Sequence, residues 1–447
     1  MQEVRAGENY DEGVKSEKTT RHWERENTMQ HAQRASAGTP KGSGYQIWVT
    51  ALLSLNFGIL FFDRNALNFL MPFVQPDLQL SNTQVGMFSS ALSLTWALSG
   101  LAVGRISDKL GSRKPVVVVA TVAFCLCSFI SGAASSFLML LGARLLMGAA
   151  EGGVMPVSHS MIVAEVAPER RGMAMGVAQN LGSNLLGSGL APILLVPVAV
   201  AVGWRTGFYL AALPGLVTAA LIWFTLREPP VPAHDDAHPK VTLREAFAHR
   251  NVVLCALIST LLVSYLVVCW AFMPLFLTKA RGFDPDTMSW LMATLGISAG
   301  LGSFVVPAIS DAIGRRPVMI FFAFFGVVLP LAAIYYTGSV WGLAAIFFVG
   351  WGLNGLFPMF MATIPAESVD PRLTATLTGV VMGAGEVLGG VLAPLFAGAM
   401  ADVYGLTAPL WLMFGCTLLA GFCTLFLIES APRVLARRSA PALARAI

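Results

Sequence analysis

Charge is scarce in this 447-residue sequence: Asp, Glu, Lys and Arg together make up 12%, about half the usual globular share, while apolar residues make up 55%. A chain so poor in charge and so rich in apolar residues reads as an integral membrane protein. Other absences narrow the reading. Residues 1–44 contain no apolar core of the ~7–15 residues that a secretory leader needs and no small-residue cleavage site, so they read as a solvated tail. The six cysteines (Cys125, Cys127, Cys255, Cys269, Cys416 and Cys423) all fall in apolar segments and lack metal-ligand or extracellular spacing, so they read as packing residues. No disulfide and no metal are expected. No nucleophile and base recur with motif spacing, no nucleotide-binding glycine loop follows a strand, and no soluble catalytic domain is evident, which argues against an enzyme. The formal net charge of +4 comes largely from tails and loops and not from a basic stripe with interleaved aromatics. Nucleic acid is therefore not an expected partner.

What the sequence has in abundance is long apolar stretches. Twelve of them reach about 20 residues or more, the length that crosses roughly 30 Å of hydrocarbon as helix. They lie near 46–72, 82–104, 115–134, 136–164, 171–198, 205–226, 251–279, 286–310, 316–336, 340–364, 372–399 and 407–429. Arg105, Lys109, Arg113 and Lys114 follow the second span, Arg170 and Arg171 the fourth, Arg315 and Arg316 the eighth, and Arg372 the tenth, whereas the loops after spans 1, 3, 9 and 11 have no Lys or Arg. By the positive-inside rule both termini are expected in the cytoplasm, with the bilayer of an inner (plasma) membrane around the chain. The connection 227–250 is polar and contains proline, with an amphipathic piece in VTLREAF, and reads as a cytoplasmic linker. The expected organisation is a tail over 1–44, a six-helix bundle over 45–226, this linker, a second six-helix bundle over 251–430 and a C-terminal tail over 431–447. That is an all-α integral membrane protein in two pseudo-symmetric halves.

The halves can be laid on each other at an offset of about 202 residues. DKLGSRKP from Asp108 answers DAIGRRP from Asp311, AEVAPERR from Ala164 answers AESVDPR from Ala366, and EGGVMP from Glu151 answers NGLFP from Asn354. The match sets neutral Asn354 where Glu151 would be. Duplicated six-helix bundles put a solute site at midplane between the halves and alternate its exposure by rocking them. This repeat, with GRISDKLGSRKP after span 2, resembles the major facilitator superfamily over about residues 45–430. Further residues are similar to its anion:cation symporter family: the Asp63-Arg64 pair in span 1, GARLLMGAAEGGVMP in span 4, RRGMAMG opening span 5, GWRTGF before span 6 and GAGEVLGGVLAP in span 11. The resemblance implies uptake of a small organic anion, such as a sugar acid, hexuronate or aromatic carboxylate, together with protons. Span 5 (NLGSNLLGSGLAP) lacks the Gly-Pro-x-x-Gly-Gly pattern typical of drug/proton antiporters. After Asp63-Arg64 the family usually continues Asn-Leu-Ser, whereas this chain has Asn65-Ala66-Leu67-Asn68.

The few charges inside the apolar stretches carry the functional reading. Arg144 and Glu151 share span 4, and Asp63 and Arg64 share span 1; an ionisable group at membrane depth costs several kcal/mol on the gentlest scales and so faces the protein interior. At about 1.5 Å rise per residue, Asp63 and Arg64 lie roughly 15 Å from the outer end of span 1, Arg144 roughly 12 Å and Glu151 roughly 22 Å from the outer end of span 4. Arg144 and Glu151 are two turns apart on one face, with Gly148 between them to admit a neighbour. Arginine binds a carboxylate bidentately where lysine cannot. Burial disfavours the charged form of an acid and a nearby arginine favours it, so arrival of a solute can switch protonation. The family resemblance assigns proton handling to Asp63 and Glu151 and anion binding to Arg64 and Arg144. The structural alternative is an ion-pair network that merely holds spans 1 and 4 together.

Further candidates line the same depth: Gln179, Asn180 and Asn184 in span 5, Tyr265 and Trp270 in span 7, Asn354 in span 10 and Glu386 in span 11, the last between glycines and suited to gating. His159 reads as a packing histidine. Asp108, Arg113, Glu165, Asp311, Arg316 and Glu367, at matched inner helix ends, read as latches that pair when the halves close and separate when they open. The expected protein is a monomeric secondary transporter with no cofactor, protons being the coupling ion. A proton-coupled exporter of organic acids or a non-transporting sensor on the same scaffold are the alternatives.

Overall fold

The chain, described by a computed structural model over residues 42–229, 249–370 and 373–436, forms twelve long helical rods. The N-terminal tail before residue 42, the VTLREAF piece, Arg372 and the chain end beyond 436 lie outside the described residues. The rods are α1 (Ser43–Asp77), α2 (Asn82–Leu110), α3 (Lys114–Gly132), α4 (Phe137–Glu165), α5 (Glu169–Val202), α6 (Trp204–Thr225), α7 (Arg250–Ala280), α8 (Pro285–Ile313), α9 (Arg315–Tyr335), α10 (Val340–Ser368), α11 (Thr376–Tyr404) and α12 (Thr407–Leu425). Among the described residues, eleven are long and apolar enough to cross a membrane, and α2, 29 residues long, packs among them. This is an all-α, multi-pass membrane fold, because only a helix satisfies its own backbone polar groups within hydrocarbon.

Local chemistry sets the rod ends. Ser136, Asp284 and Ser339 cap α4, α8 and α10 by accepting from the amides of Met139 (3.3 Å), Thr287 (2.9 Å) and Gly342 (3.1 Å). The hydroxyl and amide of Thr287 hold the exposed Asp284 carboxyl below the usual carboxylate range. Gly203 (φ 93°) turns α5 into α6 in one residue, and Gly405 (φ 81°) with Leu406 turns α11 into α12, the glycines having backbone angles that side-chain-bearing residues avoid. Rod α12 stops at Leu425, short of its apolar stretch, because the chain then turns back so that Glu429 reaches the start of α9.

The repeat is visible in the packing. Rod α1 lies against α5 as α7 does against α11, α2 against α4 as α8 against α10, and α3 against α6 as α9 against α12. Irregular turns recur at matching depths. Rod α4 breaks at Gly152-Gly153 and α10 at Trp351–Leu356, while α5 and α11 widen to π-type turns over Val177–Leu190 and Gly385–Leu392. Counted from Pro156 and Pro358, Asn354 falls opposite Gly152, one residue beyond the Glu151 position that motif matching gives it. Such interruptions free backbone groups and are tolerated where they line a protected cavity.

Two long seams join the halves, α2 with α11 and α5 with α8, and α1 also meets α7. Both long seams are tight in the middle and at the end of the bundle remote from the chain termini. A Cβ on Gly86 would strike the Pro394 backbone, one on Gly398 that of Asn82 and Thr83, and one on Gly296 that of Ser188 and Gly189. At that remote end Asp402 on α11 accepts from the amides of Asn82 and Thr83 (2.8 Å each) and from the Thr83 hydroxyl (2.6 Å), capping α2 from the opposite half. Lys279 on α7 donates to Gln75 on α1 (2.7 Å), which donates to Asn82 (3.0 Å). Toward the termini the same rods part: Gly172 and Gly176 on α5 and Gly379 and Gly383 on α11 all face open space. Among the described residues, the bundle is clasped at the remote end and open at the end that carries the termini.

Candidate functional site

Adjacent residues on a helix point about 100° apart, and α1 uses this to aim Asp63 into the N-terminal half and Arg64 toward the space between the halves. Asp63 is fully buried. It accepts at Oδ1 a short hydrogen bond from the Ser128 hydroxyl of α3, and among the described residues its Oδ2 has no hydrogen-bond partner. The Arg64 side chain is 17% exposed, lies 5.5 Å from the Phe61 ring and 5.4 Å from the Trp96 ring, and reaches within 4.0 Å of Glu151 Oε2.

Rod α4 supplies the other pair. Gly148 packs on the α2 backbone at Leu92 and Gly152 on that at Trp96, which seats α4 closely enough to bury both Arg144 and Glu151. Arg144 donates to Ser131 Oγ on α3 (3.1 Å) and to the Arg64 carbonyl (3.5 Å), with the Phe208 ring of α6 5.5 Å from its guanidinium. Among the described residues Glu151 has no hydrogen-bond donor on either oxygen, and its nearest cation is Arg64. Arg144 and Glu151 each interact electrostatically with the other three charges through the low-dielectric interior. The structure thus brings together the four residues picked out by their position in apolar sequence, and Glu151 meets Arg64 although its helix position is deeper, because the long arginine side chain spans the difference. Ser128 and Ser131 were not singled out from the sequence, since a serine in an apolar helix usually bonds its own backbone.

The remaining candidates divide. Asn184 on α5 donates to Ser303 of α8 (3.4 Å) across the seam, while Gln179 and Asn180 are half-buried one turn nearer the termini. Tyr265 turns its hydroxyl away from the center to the Gly326 carbonyl (3.0 Å), a helix contact within the C-terminal half. Its ring stacks on Trp351 (centroids 5.7 Å apart), and Trp270 meets Trp351 (5.5 Å) and Phe69 of α1 (5.9 Å) edge-on. Asn354 is buried beside this aromatic wall, and His159 is half-buried on α4. Glu386 lies against Gly390 next to Ser93 of α2, where the Arg64 charge acts on it from the other half.

Among the described residues, Arg113, Arg315 and Arg316 each make their contacts within their own half. Glu228 accepts from the amides of Arg113 (2.5 Å) and Lys114 (3.2 Å), and the Arg113 guanidinium donates to the Ser160 carbonyl (3.0 Å). In the second half Glu429 accepts from the amides of Arg315 (2.8 Å) and Arg316 (3.1 Å). Here Arg315, not the expected Arg316, bridges Asp311 (2.5 Å) and Glu367 (2.8 Å). As the first residue of α9, Arg315 turns inward toward α8 and α10; Arg316, about 100° further round, donates instead to the Leu425 carbonyl (2.8 Å). Glu165 is buried on α4, and the Asp108 side chain lies outside the described residues. Sequence reasoning missed Glu228 and Glu429, although they end spans 6 and 12 at nearly the repeat offset.

The protein-family model described as Major Facilitator Superfamily matches residues 53–273 and 267–445. A hexuronate transporter of Bacillus subtilis (strain 168) is 30% identical over 277 residues, which are 58% of this chain and 64% of that protein, just under two thirds of its length. A protein of Cupriavidus necator named as a probable sulfoacetate transporter is 22% identical over 387 residues, covering 80% and 87% of the two chains. The multidrug resistance protein MdtL of Salmonella typhi is 26% identical over 361 residues, covering 78% and 87%. In fold, the chain is similar to the crystal structure of a bacterial homolog to the human lysosomal transporter Spinster in an inward-facing and occupied conformation, with a TM-score of 0.72, 19% identity and coverage of 86% and 97%.

Proposed function

The chain belongs to the Major Facilitator Superfamily, and from that premise we propose that it is a proton-coupled symporter that imports a small organic anion by alternating access. The observation that carries this reading is the charge balance of the buried cluster. Asp63 and Glu151 oppose Arg64 and Arg144, so the ionised cluster is neutral; a solute carboxylate adds an uncompensated negative charge in a low-dielectric site. One proton taken up by a carboxyl restores neutrality. Arg64, the partly exposed arginine, is the primary anion contact. Arg144, braced by Ser131 and Phe208, fixes its position. Glu151, which has no hydrogen-bond donor, is the acid that takes up the proton when the solute carboxylate draws Arg64 away. The aromatic wall of Trp270 and Trp351, with Asn354, faces the body of the solute from the second half.

The relatives named for hexuronate and sulfoacetate support an organic acid as solute. With both termini in the cytoplasm of a bacterial cell, the open end faces inward and the Asp402 clasp faces outward. The protein acts as a monomer in the inner membrane, needs no cofactor, and uses protons as its coupling ion. A second reading, export of an organic acid in exchange for protons, is favoured by the likeness to a multidrug resistance protein. The test is transport in proteoliposomes with a panel of organic acids and a pH dye. Solute uptake that alkalinises the side from which solute enters supports symport. Acidification of that side indicates antiport, and binding without counterflow of labelled solute reduces the protein to a sensor.

A further inference from the structure

The buried hydroxyl of Ser128 on α3 stands between two acceptors, Asp63 Oδ1 of α1 and the Phe208 carbonyl of α6, the latter 3.1 Å away. A hydroxyl has one hydrogen and two lone pairs, so it can donate to only one of them at a time. While Asp63 is ionised the hydrogen belongs on the carboxylate, because charge-assisted bonds are about twice as strong as neutral ones. When a proton from water adds to Oδ1, the new carboxyl O–H donates to Ser128 Oγ, and the Ser128 hydrogen rotates to the Phe208 carbonyl. When the same proton leaves to water the rotation reverses. No other atom has to move.

We infer that Ser128 is a positioning residue for the proton of Asp63, a rotating hydroxyl that gives this carboxyl a hydrogen-bond partner in both its ionised and its protonated form. The inference rests on the proton-coupled reading above. Ser128 is the one direct donor to Asp63 among the described residues, since Oδ2 has none. The other groups that bear on Asp63 are Arg144 and Glu151 from α4 and the thiols of Cys125 and Cys127 on α3. Rod α5 has no ionisable residue after Arg171, and Tyr209 of α6 stacks on Phe129 (5.8 Å). A hydroxyl with two alternative acceptors lets the proton come and go while Oδ1 keeps a hydrogen-bond partner in both states, and an unpartnered oxygen in a dry interior is costly.

The test is pH-difference infrared spectroscopy of the full-length protein in proteoliposomes, reading the carbonyl stretch of a protonated carboxyl and identifying Asp63 by the band that Asp63→Asn removes. In Ser128→Ala the titration midpoint of that band moves up by about one pH unit, because the ionised form loses its donor. Its frequency also shifts as the carboxyl O–H loses its acceptor. Ser128→Thr restores both, and Ser128→Cys, a weaker donor of similar size, gives an intermediate shift and serves if the alanine variant does not fold. A band that keeps its midpoint and frequency in Ser128→Ala and Ser128→Cys overturns the role of Ser128 and leaves proton coupling standing. If Asp63→Asn removes no band, Asp63 does not titrate, and its part in proton coupling falls with this inference.

Discussion

Arg64 and Arg144 meet at one depth but are held differently, and the difference separates what their loss should do. Arg144 is 1% exposed and tied to Ser131, the Arg64 carbonyl and Phe208, whereas Arg64 keeps part of its side chain open to the space between the halves. Both Arg64→Lys and Arg144→Lys are expected to weaken organic-acid binding about tenfold or more, because lysine keeps the charge and loses the planar fork. Arg144→Lys should also lower the melting temperature of the ligand-free protein by several degrees, and Arg64→Lys should leave it nearly unchanged. Thermal-shift titrations of both variants against an organic acid that stabilises the wild type check this; wild-type affinity in both would remove the arginines from the site. These four charges were legible in the sequence because an arginine or carboxylate in an apolar run is too costly to be there for packing alone. Ser128 and the outward turn of Tyr265 were not, since both depend on what stands opposite in three dimensions.

The rods themselves could be counted from apolar length, and their pairing followed from the repeat, because twelve stretches of near-membrane length leave little choice of element. Their interruptions could not. The break at Gly152-Gly153 and the widened turns over Val177–Leu190 and Gly385–Leu392 come from close packing across rods, which glycine content permits but does not position. For a related reason Arg315 and not Arg316 bridges Asp311 and Glu367: which of two neighbouring arginines turns inward depends on where α9 starts. Gly148 shows what close approach demands. A side chain there meets the Leu92 carbonyl and Thr95, so Gly148→Ala is expected to cost about 1–3 kcal/mol, read as a lower melting temperature. Gly379→Ala on α11, facing open space, should leave melting unchanged or raise it slightly. Equal melting of the two variants would contradict the close seating of α4 on α2.

At the scale of the molecule the two halves are, among the described residues, clasped at one end and parted at the other, so the proposed alternating access requires the remote-end contacts to break in each cycle. Asp402→Ala removes the carboxylate that caps α2 from the opposite half and should shift the population toward conformations open at the remote end. Longer spin-label distances across that end would report this, and unchanged distances would make the cap incidental. Two matching halves were readable from the repeat; which end is closed was not, because the repeat fixes how each half packs and not how the halves meet. The central claim is that a buried acid couples solute movement to protons, and Glu151 tests it most directly. Glu151→Gln mimics the permanently protonated form, so exchange of labelled for unlabelled solute, which needs no net proton release, should survive, while accumulation driven by a proton gradient should fall by about tenfold or more. Both are measured in one proteoliposome preparation of wild type and Glu151→Gln under an imposed pH gradient. Surviving counterflow with lost accumulation is the predicted result, and full proton-driven accumulation by Glu151→Gln would contradict the account.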